Sequence, residues 1–147
     1  MAEIQIPKPG GPLVVNEKKG DTTIVELKPW RSLIPQITKP MVASMGHADV
    51  QGSGVATGFA IITEPCDVGG PTHAHPFDQW IYLIGHGDLS EFDAEAEIMV
   101  DNVMYKIDYP FYAFMPAGMP HCPLVVKRVG KPIMFVDCRV VPEKTDK

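Results

Sequence analysis

Long apolar runs are missing from this chain: nothing in it approaches the ~20 consecutive apolar residues that a membrane-spanning helix requires. The opening MAEIQIPKPGG also lacks the charged-then-apolar order of a secretory leader. A soluble, cytoplasmic protein with no membrane partner is therefore expected. Basic charge is scarce too. Lys and Arg number 13 against 18 Asp and Glu, a formal net charge of -5, which removes the electrostatic basis for nucleic acid or an anionic surface as partner. Cysteine is limited to Cys66, Cys122 and Cys138. An odd number at wide spacing fits neither a secreted disulfide framework nor a Cys-x-x-Cys zinc site, so reduced and mostly buried thiols are expected.

What the chain has in quantity is turn residues and core material. Hydrophobic residues make up 45% of 147 residues, enough for one ordinary domain with a sizeable core. With 15 prolines and 13 glycines and no repeat to absorb them, many turns are implied. Six prolines (Pro7, Pro9, Pro12, Pro29, Pro35, Pro40) fall in the first forty residues and exclude long helices there. Residues 1–54 therefore read as an extended arm with short strands, such as 22–27. Its apolar residues (Ile24, Val25, Leu27, Trp30, Leu33, Ile34) need the barrel or a partner subunit to lie against. Residues 55–147 read as the barrel itself. Strand-like runs at 55–63, 79–84, 103–107, 111–115, 124–128 and 133–140 are each bounded by Gly, Pro or Asp. Short strands of this regularity predict an all-β antiparallel sandwich or barrel. Residues 88–99 carry a helical stripe and a capping box, but 94–100 also alternate. The β context favours a loop followed by a strand.

One segment carries chemistry: Thr72-His73-Ala74-His75-Pro76-Phe77-Asp78-Gln79. In an extended chain His73, His75 and Gln79 share a parity, so both imidazoles project to one side, with Gln79 beside them unless Pro76 shifts the register. A third histidine, His121, follows the rigid turn Met115-Pro116-Ala117-Gly118-Met119-Pro120 and can lie beside His73 in an antiparallel pair. Three neutral imidazoles with open positions suit one divalent ion of the zinc, iron, nickel or copper group, in a catalytic rather than a closed structural site.

The spacing His73-x-His75-x3-Gln79, followed by Pro116-x-Gly118-x-x-His121, resembles the two motifs of the cupin superfamily over about residues 55–140. The resemblance implies a small single-domain, RmlC-like jelly roll, or double-stranded β-helix. It also implies one divalent metal per chain (iron, manganese, zinc or nickel) held by His73, His75, His121 and the residue at 79. That last position carries Gln where the family has Glu. A neutral amide leaves the site one unit more positive, which weakens metal affinity but makes the ion a stronger Lewis acid. Trailing glycines of the first motif fall at Gly85 or Gly87.

Several further residues are weighed on parity. Phe59, Ile81 and Met115 are candidate pocket-lining residues, although apolar side chains inside a barrel are ordinarily core. Glu97 is a candidate general base if its segment lies on a strand neighbouring the metal, against the simpler alternative of a solvated strand face. Asp78 has the opposite parity and is expected on the surface. Cys122, adjacent to His121, is expected to face away from it. Trp80 and Tyr82 point outward and are costly to expose, so a homodimer interface or the arm is expected to cover them.

The expected function is that of a metal-dependent enzyme of cupin type acting on a small organic molecule, either a dioxygenase or a redox-neutral isomerase or lyase using the metal as Lewis acid. The alternative is a non-catalytic module that binds or senses a small molecule around a structural metal.

Overall fold

The computed structural model describes residues 16–20 and 23–142. Pro7, Pro9, Pro12 and the first residue of the predicted strand 22–27 lie outside the described residues. Eleven strands follow one another among those described: β1 (Glu17–Lys18), β2 (Val25–Glu26), β3 (Val42–Met45), β4 (Val55–Ile62), β5 (Cys66–Asp67), β6 (Asp78–Gly85), β7 (Ala94–Val100), β8 (Val103–Ile107), β9 (Phe111–Met115), β10 (His121–Val129) and β11 (Ile133–Val140). No helix among the described residues is long and apolar enough to cross a membrane.

The strands assemble into two main antiparallel sheets, one in the order β3-β4-β11-β6-β9 and the other β5-β10-β7-β8, with β1 and β2 forming a separate ribbon. The result is an all-β antiparallel jelly-roll barrel. Alternation explains why the sheets face each other. On β6 the residues Gln79, Ile81 and Leu83 are buried while Trp80 and Tyr82 are half-exposed; on β7 Ala94, Ala96 and Ile98 are buried. Ile62, Leu83 and Ile133 from one sheet and Ile98, Leu124 and Val126 from the other meet in a single core with almost no solvent contact. Each such Leu or Ile contributes about 1.5–3 kcal/mol through burial. Residues 88–93 form the loop, and the alternating residues after them form β7.

The stretch ahead of residue 55 is joined to this core. β3 pairs with β4 in register from Val42 with Phe59 to Met45 with Ala56, and Trp30 and Ile37 are buried.

On the outer face of the five-stranded sheet, Trp80 packs on Phe114 with ring centroids 4.9 Å apart and Tyr82 on Tyr112 at 5.4 Å. Such cross-strand aromatic pairs contribute about 0.2–1 kcal/mol each. Tyr112 remains 61% exposed and Phe114 44%, so the pairs leave a large apolar surface open.

Candidate metal centre

His73 and His75 do not lie in one continuous strand with Gln79. Pro76 has no N–H to give to a ladder and restricts the residue before it, so regular pairing of β6 begins only at Asp78. His73 instead forms an isolated bridge to His121, each donating its N–H to the other's carbonyl at 3.0 and 2.9 Å. The turn that delivers His121 is tied to the same segment. Gly118, at φ +85°, donates its N–H to the His75 carbonyl at 2.8 Å, and the Ala117 N–H donates to Asp78 Oδ1 at 2.9 Å. Gly118 is glycine because only that residue adopts this φ without strain. Asp78, on the exposed side, thus serves the turn rather than the ion.

These constraints bring the three imidazoles together. Ring centroids are 4.7 Å apart for His73 and His75, 4.6 Å for His73 and His121, and 5.3 Å for His75 and His121. One ligand nitrogen from each lies within 4.8 Å of the others, a group that can hold a metal ion. The tautomers are set locally. His73 Nδ1 lies 2.7 Å from the Pro71 carbonyl and His121 Nδ1 3.0 Å from the Met119 carbonyl. A carbonyl only accepts, so each Nδ1 carries a proton, and in the neutral ring Nε2 is the atom that offers a lone pair. This is the outer hydrogen bonding that orients histidine ligands in metal sites. His75 stacks on Phe77 at 4.8 Å, nearly parallel. Burial, followed by the neighbouring His73, His121 and Arg139, pushes its pKa below the ordinary histidine value, which favours the neutral, ligating form.

Gln79 is buried at the floor of the same cavity, a space of about 130 Å³. Its Nε2 donates to Asp137 Oδ1 at 2.7 Å, which turns its Oε1 away, buried and without a partner. His121 Nε2 is likewise buried with no hydrogen-bond partner. Unsatisfied buried polar atoms cost about 1–3 kcal/mol each, and two of them lining one cavity beside two more imidazoles have the donor chemistry of a cation site. The residues present therefore fit a divalent ion.

Other sequence candidates fall elsewhere. Ile81 lines the cavity. Met115 is fully buried in the core beside Gln79, consistent with packing. Phe59 is a correction: its pairing with Val136 and Val42 puts it on the outer face of the sheet, in a surface groove with Ile61 and Met134. Glu97 is another. The inward positions of β7 are Ala96 and Ile98, so Glu97 points outward, 3.8 Å from Lys127 Nζ. Cys122 also departs from expectation. A register shift between His121 and Leu124 leaves Cys122 at φ +75°, so simple alternation fails and both His121 and Cys122 are buried. Cys122 lines the cavity, and burial pushes its thiol up to about 11. Gly69 leaves it room: a Cβ there would stand 2.6 Å from Cys122 Sγ and from the Leu124 nitrogen.

Two charged residues on β11, Asp137 and Arg139, also line the cavity and were not among the residues expected there. The signal was present. Ile133, Phe135, Asp137 and Arg139 share a parity, so two charged residues continue the core face of an otherwise apolar strand.

No protein-family model matches the sequence, and no match is found among curated proteins. Among solved structures, the chain is similar to KdgF from a Halomonas species, at 11% identity over 79% of this chain and 89% of that one, with a TM-score of 0.49. It is similar to an RmlC-like cupin from Shewanella frigidimarina, at 16% identity over 76% and 86%, TM-score 0.46. A cupin superfamily protein from Desulfitobacterium hafniense gives 11% identity over 69% and 78%, TM-score 0.45.

Proposed function

We propose that this chain is a metal-dependent enzyme of the cupin type, acting on a small organic molecule in the cavity formed by His73, His75, Gln79 and His121. The observation that carries this reading is the pair of buried, partnerless atoms, His121 Nε2 and Gln79 Oε1, in a cavity shared with two further imidazoles. The three histidines and Gln79 Oε1 would hold the ion, which supplies Lewis-acid or redox chemistry toward an oxygen-bearing substrate. Around it the chain's own groups orient and exchange protons. His73 and His121 are fixed through their Nδ1–H bonds, and Phe77 restrains the plane of His75. Asp137, the carboxylate lining the cavity, takes the proton-accepting role for which Glu97 was considered.

Asp137 also accounts for Gln at position 79. A glutamate there would oppose the Asp137 carboxylate across the present 2.7 Å contact, whereas the amide donates to it. The negative charge of the site has in effect moved from the ligand position to its neighbour. Gln79→Glu alone is expected to destabilise the fold by about 1–3 kcal/mol, measured by chemical denaturation. Combining it with Asp137→Asn restores a donor facing an acceptor, recovers most of that loss and tightens metal binding. Unchanged metal affinity in the folded double variant would remove Gln79 from the ligand set.

The proposal extends to a homodimer formed through the outer face of the five-stranded sheet. Around Phe59, Ile61, Trp80, Tyr82, Tyr112 and Phe114 that face is apolar and uncharged at its centre, while the opposite sheet carries Glu95, Glu97, Lys106 and Lys127. In a chain of net charge -5, an uncharged face is the surface on which two copies meet without repulsion. Light scattering at micromolar concentration is expected to give twice the chain mass for the wild type and the single-chain mass for Tyr112→Lys combined with Phe114→Asp. A monomeric wild type contradicts this.

A further inference from the structure

We propose that Arg139 selects a small organic acid for this cavity, pairing with the substrate carboxylate while a neighbouring oxygen faces the histidines. This rests on the metal-centre reading and adds the substrate class to it. Arg139 lies on the inward face of β11, opposite Gln79 in register. Among the described residues no carboxylate stands within ion-pair distance of its guanidinium. Its Cζ sits 5.8 Å from the centroid of the Phe77 ring, which itself stacks on His75. The guanidinium thus lies against the aromatic ring that stacks on His75, and among the described residues it has no anionic partner. A permanently charged group with five N–H donors, half-buried in a concave site, is a receptor for a carboxylate, which it meets with two parallel hydrogen bonds. A divalent ion and Arg139 together outweigh the single charge of Asp137, so the cavity favours an anion.

A second cavity indicates where the rest of such a molecule goes. A space of about 110 Å³ lined by Trp30, Met41, Met45 and Thr57 shares Phe135, Asp137 and Arg139 with the histidine cavity. Arg139 therefore stands at the junction of a polar lobe and a largely apolar one. The ligand this fits is a carboxylic acid with an oxygen on the adjacent carbon and a small apolar substituent.

The test uses pyruvate and its neutral analogue pyruvamide as probes, titrated calorimetrically into wild type, Arg139→Gln and Arg139→Lys, with metal content measured in every preparation. Wild type is expected to bind pyruvate at least about 10-fold more tightly than pyruvamide. Arg139→Gln loses that preference at unchanged metal content, and Arg139→Lys keeps part of it. Equal binding of acid and amide by wild type, no binding of pyruvate, or an undiminished preference in Arg139→Gln would each overturn the assignment. A wild type devoid of metal defeats the metal-centre reading instead, and the acid-over-amide comparison in that same protein still decides the role of Arg139.

Discussion

His121→Ala is expected to lower metal affinity by more than about 100-fold, beyond the 10–100-fold typical of losing only an outer hydrogen bond to a ligand. His121 is the most buried of the three histidines at 2% exposure, and its Nε2 has no partner within the protein. The loss has a second, independent readout. An ion that binds only the folded chain stabilises it by about 2.7 kcal/mol when present at 100 times its Kd. For a chain of this size that corresponds to a rise in Tm of roughly 5–10 °C. Wild type should show this metal-dependent rise in a thermal melt, and His121→Ala should not. His73→Ala separates ligation from packing, because His73 is more exposed and its removal opens no internal cavity. It should abolish the same rise while leaving the metal-free Tm nearly unchanged. A metal-dependent rise of wild-type size in both variants would remove the histidines from the site.

Gly85→Ala is expected to be the most damaging single substitution to the fold. A Cβ at position 85 would stand 2.0 Å from the Asp88 carbonyl oxygen and 2.3 Å from that of Glu91. Both obstacles are backbone, held by the Gly85 N–H bond to the Leu89 carbonyl and the Glu91 N–H bond to Asp88. No side-chain rotation relieves the clash, so the loop must move away from the end of β6. Overpacking of this kind costs 1–3 kcal/mol when neighbours yield. Here they do not, and a loss of at least about 3 kcal/mol is expected, a large part of the 5–15 kcal/mol that holds an ordinary domain folded. Gly58→Ala is the matched control: it lies within β4, and a Cβ there meets nothing within 4 Å. It should be neutral or stabilise by up to about 1 kcal/mol, since alanine loses less chain entropy on folding. Urea denaturation of both variants checks the pair.

Much of the architecture was legible because it depends on local chemistry. Proline and glycine mark the ends of most strands, period-two alternation shows which side of β6 and β7 faces inward, and His73, His75 and His121 stand out by spacing and by the rigid turn at 116–119. The misreadings share a different cause: they depend on which strands become neighbours. Phe59 has the composition of a core residue, and only the pairing of β4 with β3 and β11 determines that it faces outward. Cys122 lies within a bulge that arises from the mismatch between β10 and β7, a long-range event with no local signature except Pro123. Glu97 is the exception, because the local alternation Ala94, Ala96, Ile98 is enough to place it on the outer side of β7. Asp137 and Arg139 were visible as charges on a core parity, and their meaning emerges only when β11 is set beside Gln79.

One divalent ion is proposed to rest on His73, His75 and His121, with Gln79 completing the set. Anomalous diffraction, at the absorption edge of whichever metal elemental analysis detects in protein purified without added metal, tests it most directly. One peak per chain is expected about 2.0–2.2 Å from a nitrogen of each of the three imidazoles, with Gln79 Oε1 as the next nearest protein atom. A peak held by other residues, or none at the histidines, would contradict it.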